Sequence, residues 1–101
     1  MTLPYVLTPE ADVDLQDIWD YTVEAWGVDQ AVIYLETIER AFVSIAEGSL
    51  PTRPSPTREL GLEYVRCEHH YIFVLREVPL QVIRVLHERM DYMTRLKHRL
   101  A

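Results

Sequence analysis

The sequence predicts an α+β fold: a helical hairpin packed on one face of a small antiparallel sheet, in the order β-α-α-β-β-β-α. Apolar residues recur at spacings of three and four through residues 9–26 and again through 29–47. Three runs rich in Val, Ile, Tyr and Phe then follow between residues 63 and 87. The connections between those runs are too short for a helical crossover, so the runs must pair as antiparallel neighbours. Each helix has a single apolar stripe to bury, which places both on the same face of the sheet.

PYVLT (4–8) opens the chain as a short strand of β-prone residues. Thr8-Pro9 then starts a helix, because Thr is a good N-cap and Pro is tolerated at the first helical position. Leu15, Ile18, Trp19, Thr22 and Trp26 share its inward face. Asp12, Asp14, Asp17, Asp20 and Glu24 are expected to point to water, the early ones favoured by the helix dipole. Gly27 ends this helix and Asp29 is a candidate cap for the next, whose stripe is Ala31, Tyr34, Leu35, Ile38, Phe42 and Ile45. The aromatic residues Trp19, Trp26, Tyr34 and Phe42 thus read as core. Tyr21 lies off the stripe, either exposed or packed under the sheet edge.

Gly48 stops the second helix, and SLPTRPSPTRELG follows with three prolines and no periodicity, a surface loop at the length where loops usually serve binding. The strands are EYVRCE (63–68), YIFVLRE (71–77) and LQVIRVLH (80–87), with turns at His69-His70 and Val78-Pro79. YIFVL is apolar on both faces, which puts that strand in mid-sheet with cover on each side. Asp91 can cap a final helix from Tyr92 to Leu100. Residues 1–101 form one domain with no internal repeat, a length that supports a core without metal or disulfide.

The net charge of −6 is unevenly divided. Residues 1–50 hold ten acids against Arg40 alone, and residues 51–101 hold six acids against nine bases, eight of them Arg. The second half also holds all four histidines. Arg suits planar, bidentate contact with carboxylate or phosphate, so this half fits an acidic partner. Cys67 is the only cysteine, which excludes an internal disulfide and fits a reducing cytoplasm. No apolar run reaches membrane-spanning length, and MTLPYVLT lacks the pattern of a signal peptide.

Chemistry concentrates at HERMD (87–91). His87, Glu88 and Arg89 could serve as base, orienting group and phosphate clamp, but neighbouring side chains of a strand point to opposite faces. His87 and Arg89 share a face only if the strand persists that far; otherwise His87 is a half-buried strand end with its ring bonded to backbone. Cys67, His69, His70 and His87 lie on adjoining strand ends or turns without the ligand spacing of a zinc site, so no metal or other cofactor is expected. Cys67 reads as a small apolar filler. Arg58, Arg66, Arg84 and Arg89 come from the loop and three consecutive strand segments. An antiparallel sheet could gather some of them into a patch, or each could pair with a nearby Glu59, Glu63 or Glu88.

LTPEADVDLQDIWDYTVEAWG, QAVIYLETIERAFVSIA, HYIFVLRE and VIRVLHERMD together resemble the ParE branch of the RelE/ParE toxin superfamily across almost the whole chain. The most specific pieces are Asp17-Ile18-Trp19 with Tyr21-Thr22, and Arg84 to Asp91. The resemblance implies the toxin of a bacterial type II toxin–antitoxin pair. It implies DNA gyrase as the target and a ParD-like ribbon-helix-helix antitoxin as the neutralising partner. That partner's tail would fold over the helical hairpin and sheet edge, and operator DNA would be bound only through the complex. The alternative is a RelE-like ribonuclease that cuts translated mRNA. RelE-type enzymes use lysines and arginines on the sheet and a tyrosine near the C-terminus. Here the corresponding strand reads Tyr64-Val65-Arg66-Cys67, no lysine precedes Lys97, and Tyr92 sits where a helix should begin. The expected reading is therefore a surface that binds, without catalytic residues of its own, over Arg58, Arg66, Arg84, His87, Glu88, Arg89, Met90, Asp91 and Arg95.

Overall fold

The computed structural model of the chain describes residues 3–55 and 61–89. Strand β1 (Tyr5–Leu7) leads into helix α1 (Pro9–Trp26) and helix α2 (Val28–Glu47). Strands β2 (Arg53–Pro54), β3 (Glu63–Cys67), β4 (His70–Leu75) and β5 (Leu80–His87) follow. The expected final helix from Tyr92 to Leu100 lies outside the described residues. The strands form one five-stranded sheet in the order β1-β5-β4-β3-β2, which puts β4 at the centre.

β3, β4 and β5 pair antiparallel through short turns, but β1 pairs with β5 in parallel, Tyr5 facing Leu80 and Leu7 facing Val82. The sheet is therefore mixed. The short-connection argument constrains only neighbours in sequence; the helical hairpin after β1 is long enough to return the chain in either sense. The proline-rich stretch also contributes the two-residue edge strand β2, Arg53 facing Tyr64.

α1 starts as its sequence dictates: the Thr8 hydroxyl accepts the Ala11 N–H at 3.0 Å and donates to the Ile83 carbonyl at 2.8 Å. One side chain thereby caps the helix and ties it to β5. Gly27 separates the helices at φ 93°, and α2 has no side-chain cap, so Asp29 stands in its first turn without capping it. Gly48 closes α2 in the left-handed region at φ 85°, where a Cβ would be strained.

Ala11, Ile18, Ile38, Phe42 and Ile45 pack on Ile72, Val74, Leu80, Val82 and Val85, so both helices cover one face. Phe73, Ile83, Leu86 and Leu62 make a smaller cluster on the other. Val82 and Val85 are an odd number of residues apart yet face the same core. A bulge explains this: Phe73 faces Arg84 while the next residue, Val74, faces Val82, so Ile83 is the extra residue. Three expected placements fail. Trp26 is 73% exposed, Trp19 is only half-buried and lies outside the core cluster, and Asp14 is buried at 8%. His70 begins β4, so the turn is Glu68-His69, with Glu68 at φ 55°.

Candidate functional site

Three strands end together where β3 turns into β4 and β5 finishes. Cys67 faces His70, and His70 faces His87, across neighbouring strands. The Glu88 N–H donates to the His69 carbonyl at 2.9 Å, which brings the first residue after β5 against the turn. Glu88 is then shared: one carboxylate oxygen pairs with the Arg66 guanidinium and the other with His69 Nδ1 at 2.9 Å. Arg66 also donates from Nε to the Glu68 carbonyl at 2.9 Å. The His69 hydrogen bond, followed by the Arg66 charge, holds the Glu88 carboxyl below its ordinary value.

Beside this triad, α2 reaches the sheet through Tyr34. Its phenol lies 2.7 Å from His70 Nδ1 and accepts the His69 N–H at 3.2 Å. Burial pushes the Tyr34 phenol up, as it does the Cys67 thiol. Burial first, then the neighbouring His87 and His69, lowers His70 to about 4. His70 and His87 meet edge to face, with centroids 5.1 Å apart. Imidazole, carboxylate and guanidinium thus converge, with Glu88 shared between His69 and Arg66. Among the described residues no group of three or more His, Cys, Asp or Glu is placed to hold a metal ion.

Of the sequence-expected site residues, Arg66, His87, Glu88 and Arg89 gather here. Arg84 does not: it is drawn to α1, where Nε and Nη2 donate to the two Asp14 carboxylate oxygens at 2.7 and 2.9 Å. The Arg84 side chain is only 15% exposed, so it belongs to the scaffold rather than to a patch. Its pKa is raised, chiefly by the hydrogen bond to Asp14. Arg58, Met90, Asp91 and Arg95 lie outside the described residues. Sequence reasoning missed His69 as a partner of Glu88, and Tyr34 as more than core. For Asp14 a signal was available, since it sits three after Ala11 and four before Ile18, on the inward stripe.

A second surface lies on the hairpin. Leu15, Trp19 and Leu35 line a shallow groove between α1 and α2 with Gln16, Asp20 and Glu39. Tyr21, Trp26 and Ile33 are exposed on the same two helices.

The family profile described as "ParE toxin of type II toxin-antitoxin system, parDE" matches residues 5–92. "Toxin ParE" of Escherichia coli is 42% identical over 98 residues, 95% of this chain and 95% of that protein. "Toxin ParE1" of Caulobacter vibrioides is 38% identical over 90 residues, 87% of this chain and 92% of that one. In the solved structure "Chromosomal ParDE TA system from P. aeruginosa", one chain superposes with a TM-score of 0.71. It covers 82% of this chain and 92% of that one at 19% identity, a likeness of fold.

Proposed function

The chain belongs to the ParE toxin family of type II toxin–antitoxin systems, and from there we propose that it acts by binding: it inhibits DNA gyrase and is neutralised by a ParD-like antitoxin. The observation that carries this reading is the family match across residues 5–92, with a named ParE toxin 42% identical over 95% of the chain. The resemblance of Asp17 to Thr22 and of Arg84 to Asp91 to the gyrase-directed branch supports the target. The antitoxin tail is proposed to fold over the helical groove at Leu15, Trp19 and Leu35 and the sheet edge. Coupled folding lets such a tail cover a large surface. Operator DNA is then bound through the antitoxin's ribbon-helix-helix end, and the proposed place of action is the cytoplasm, where Cys67 remains a free thiol. No helix among the described residues is long and apolar enough to cross a membrane.

Purified toxin at micromolar concentration is expected to block gyrase supercoiling and to raise gyrase-dependent DNA breaks. Unchanged supercoiling and unchanged breaks overturn the gyrase assignment and leave the toxin–antitoxin assignment intact. Binding to an acidic antitoxin tail is expected to weaken as salt rises; constancy across the range counts against the arginine-rich half as the docking surface.

One observation favours a second reading, a RelE-like ribonuclease: His69, Glu88 and Arg66 bring together the group types that general acid–base and phosphate chemistry need. That reading requires cleavage of translating message that disappears in His69→Ala or His87→Ala. Cleavage that survives both variants removes it.

A further inference from the structure

We propose that the histidine pair at the end of the sheet is a proton-operated latch: neutral His87 fixes the chain's exit from β5 at Arg89, and protonation of His87 releases it. The latch does not depend on which partner the protein binds.

The backbone contact determines where the His87 ring proton sits. His87 Nδ1 accepts the Arg89 backbone N–H at 3.1 Å, so that nitrogen is bare and the ring's proton is on Nε2. The ring is therefore neutral and uses Nδ1 as an acceptor. The Tyr34 hydroxyl, which accepts the His69 N–H, lies 2.7 Å from His70 Nδ1 and can meet it as donor or as acceptor.

A proton added to His87 must enter at Nδ1, where the Arg89 N–H already points. This turns the contact into two facing donors, and the turn opens. A second charge in the pair is opposed by the first, because the ring centroids are 5.1 Å apart.

Groups from each neighbouring element face the pair. From β3, the thiol of Cys67 is held in its neutral form by burial and by Glu68. From α2, Tyr34 is likewise held neutral by burial. The Glu88 carboxylate, paired with Arg66 and His69, acts the other way and favours charge on His70. His70 in turn is held near 4 by burial and by its histidine neighbours. His87, half-buried at the strand's end, is the ring more open to solvent of the two. It is also the ring bonded to the exit.

Imidazole-nitrogen and amide NMR of the full chain test this directly. At neutral pH the His87 ring should show the Nε2–H tautomer. On acidification the Arg89 amide shift should follow the His87 ring with a common midpoint, and its exchange protection should fall about tenfold, the worth of one such bond. The Phe73 amide, in mid-sheet, should hold its protection over that range. In His87→Asn the side-chain oxygen can accept the same N–H two residues on without ionising, so the Arg89 amide should lose its acid transition. An Arg89 amide indifferent to the His87 ring overturns the latch. So does a Phe73 amide that opens together with Arg89, or an acid transition retained in His87→Asn.

Discussion

The Asp14 carboxylate satisfies the Arg84 fork and also accepts the Val85 backbone N–H at 2.9 Å. β1 ends at Leu7, opposite Val82, and the Thr8 N–H bonds the Val82 carbonyl beyond it at 3.1 Å. Past that point Asp14 takes over as the partner of the β5 edge. Asp14→Ala strands a shielded guanidinium and a buried N–H together, so it should cost about 3–5 kcal/mol in urea unfolding. Replacing both charged partners by apolar residues (Asp14→Leu with Arg84→Met) should recover only part of that loss, because the buried Val85 N–H still lacks its acceptor. His70 gives a prediction in pH. Its pKa is lowered from 6.5 to about 4, so the folded state binds fewer protons than the unfolded state between those values. The stability this supplies is complete above pH 6.5 and is lost as pH falls to about 4, roughly 3 kcal/mol in all. The advantage of the unmodified chain over His70→Gln, measured by urea unfolding, should shrink by that amount from pH 7 to pH 4. Glu88 acts in the same direction at its own lower range, since its lowered pKa favours the fold only while it is ionised.

Among the elements, the helices were the most legible. Ile18, Ala31, Ile38, Phe42 and Ile45 are buried on the stripes that spacing marks. Phe42→Ala should cost about 3–5 kcal/mol in urea unfolding, whereas Trp26→Ala should stay within about 0.5 kcal/mol. Trp26 misled because periodicity says which side of a helix a residue occupies, not whether the sheet extends far enough to meet it. β5 was legible as a strand but not in its detail. Val82 and Val85 face one core only because Ile83 bulges, and nothing in LQVIRVLH marks the bulge position. Asp14 was obscured by its own charge: inward spacing and acidity conflicted, and the partner that reconciles them lies 70 positions away. His69 and Glu88 meet for a related reason, since their contact depends on where two separate turns bring the chain.

At the scale of the molecule, the acidic and arginine-rich halves of the sequence share one core, in which Tyr5 and Phe42 meet Leu80 and Val82. A single cooperative transition follows, so tryptophan fluorescence and far-ultraviolet circular dichroism should report coincident unfolding curves. The arginines of residues 51–101 are also less free in space than in sequence. Arg66 and Arg76 are paired with Glu88 and Glu63 of the same half, and Arg84 with Asp14 of the acidic half. The seating of β1 against β5 has a consequence for synthesis. Thr8 and Ile83, which bond each other, are 75 positions apart, so β1 leaves the ribosome long before its partner exists. Through most of translation the nascent helices have no finished sheet to lie on. A chain stopped after Pro79 should accordingly keep helical signal while losing its cooperative melt. Whatever surface needs the finished sheet is therefore the last thing the ribosome delivers, which leaves an interval in which a partner already present can reach the chain first.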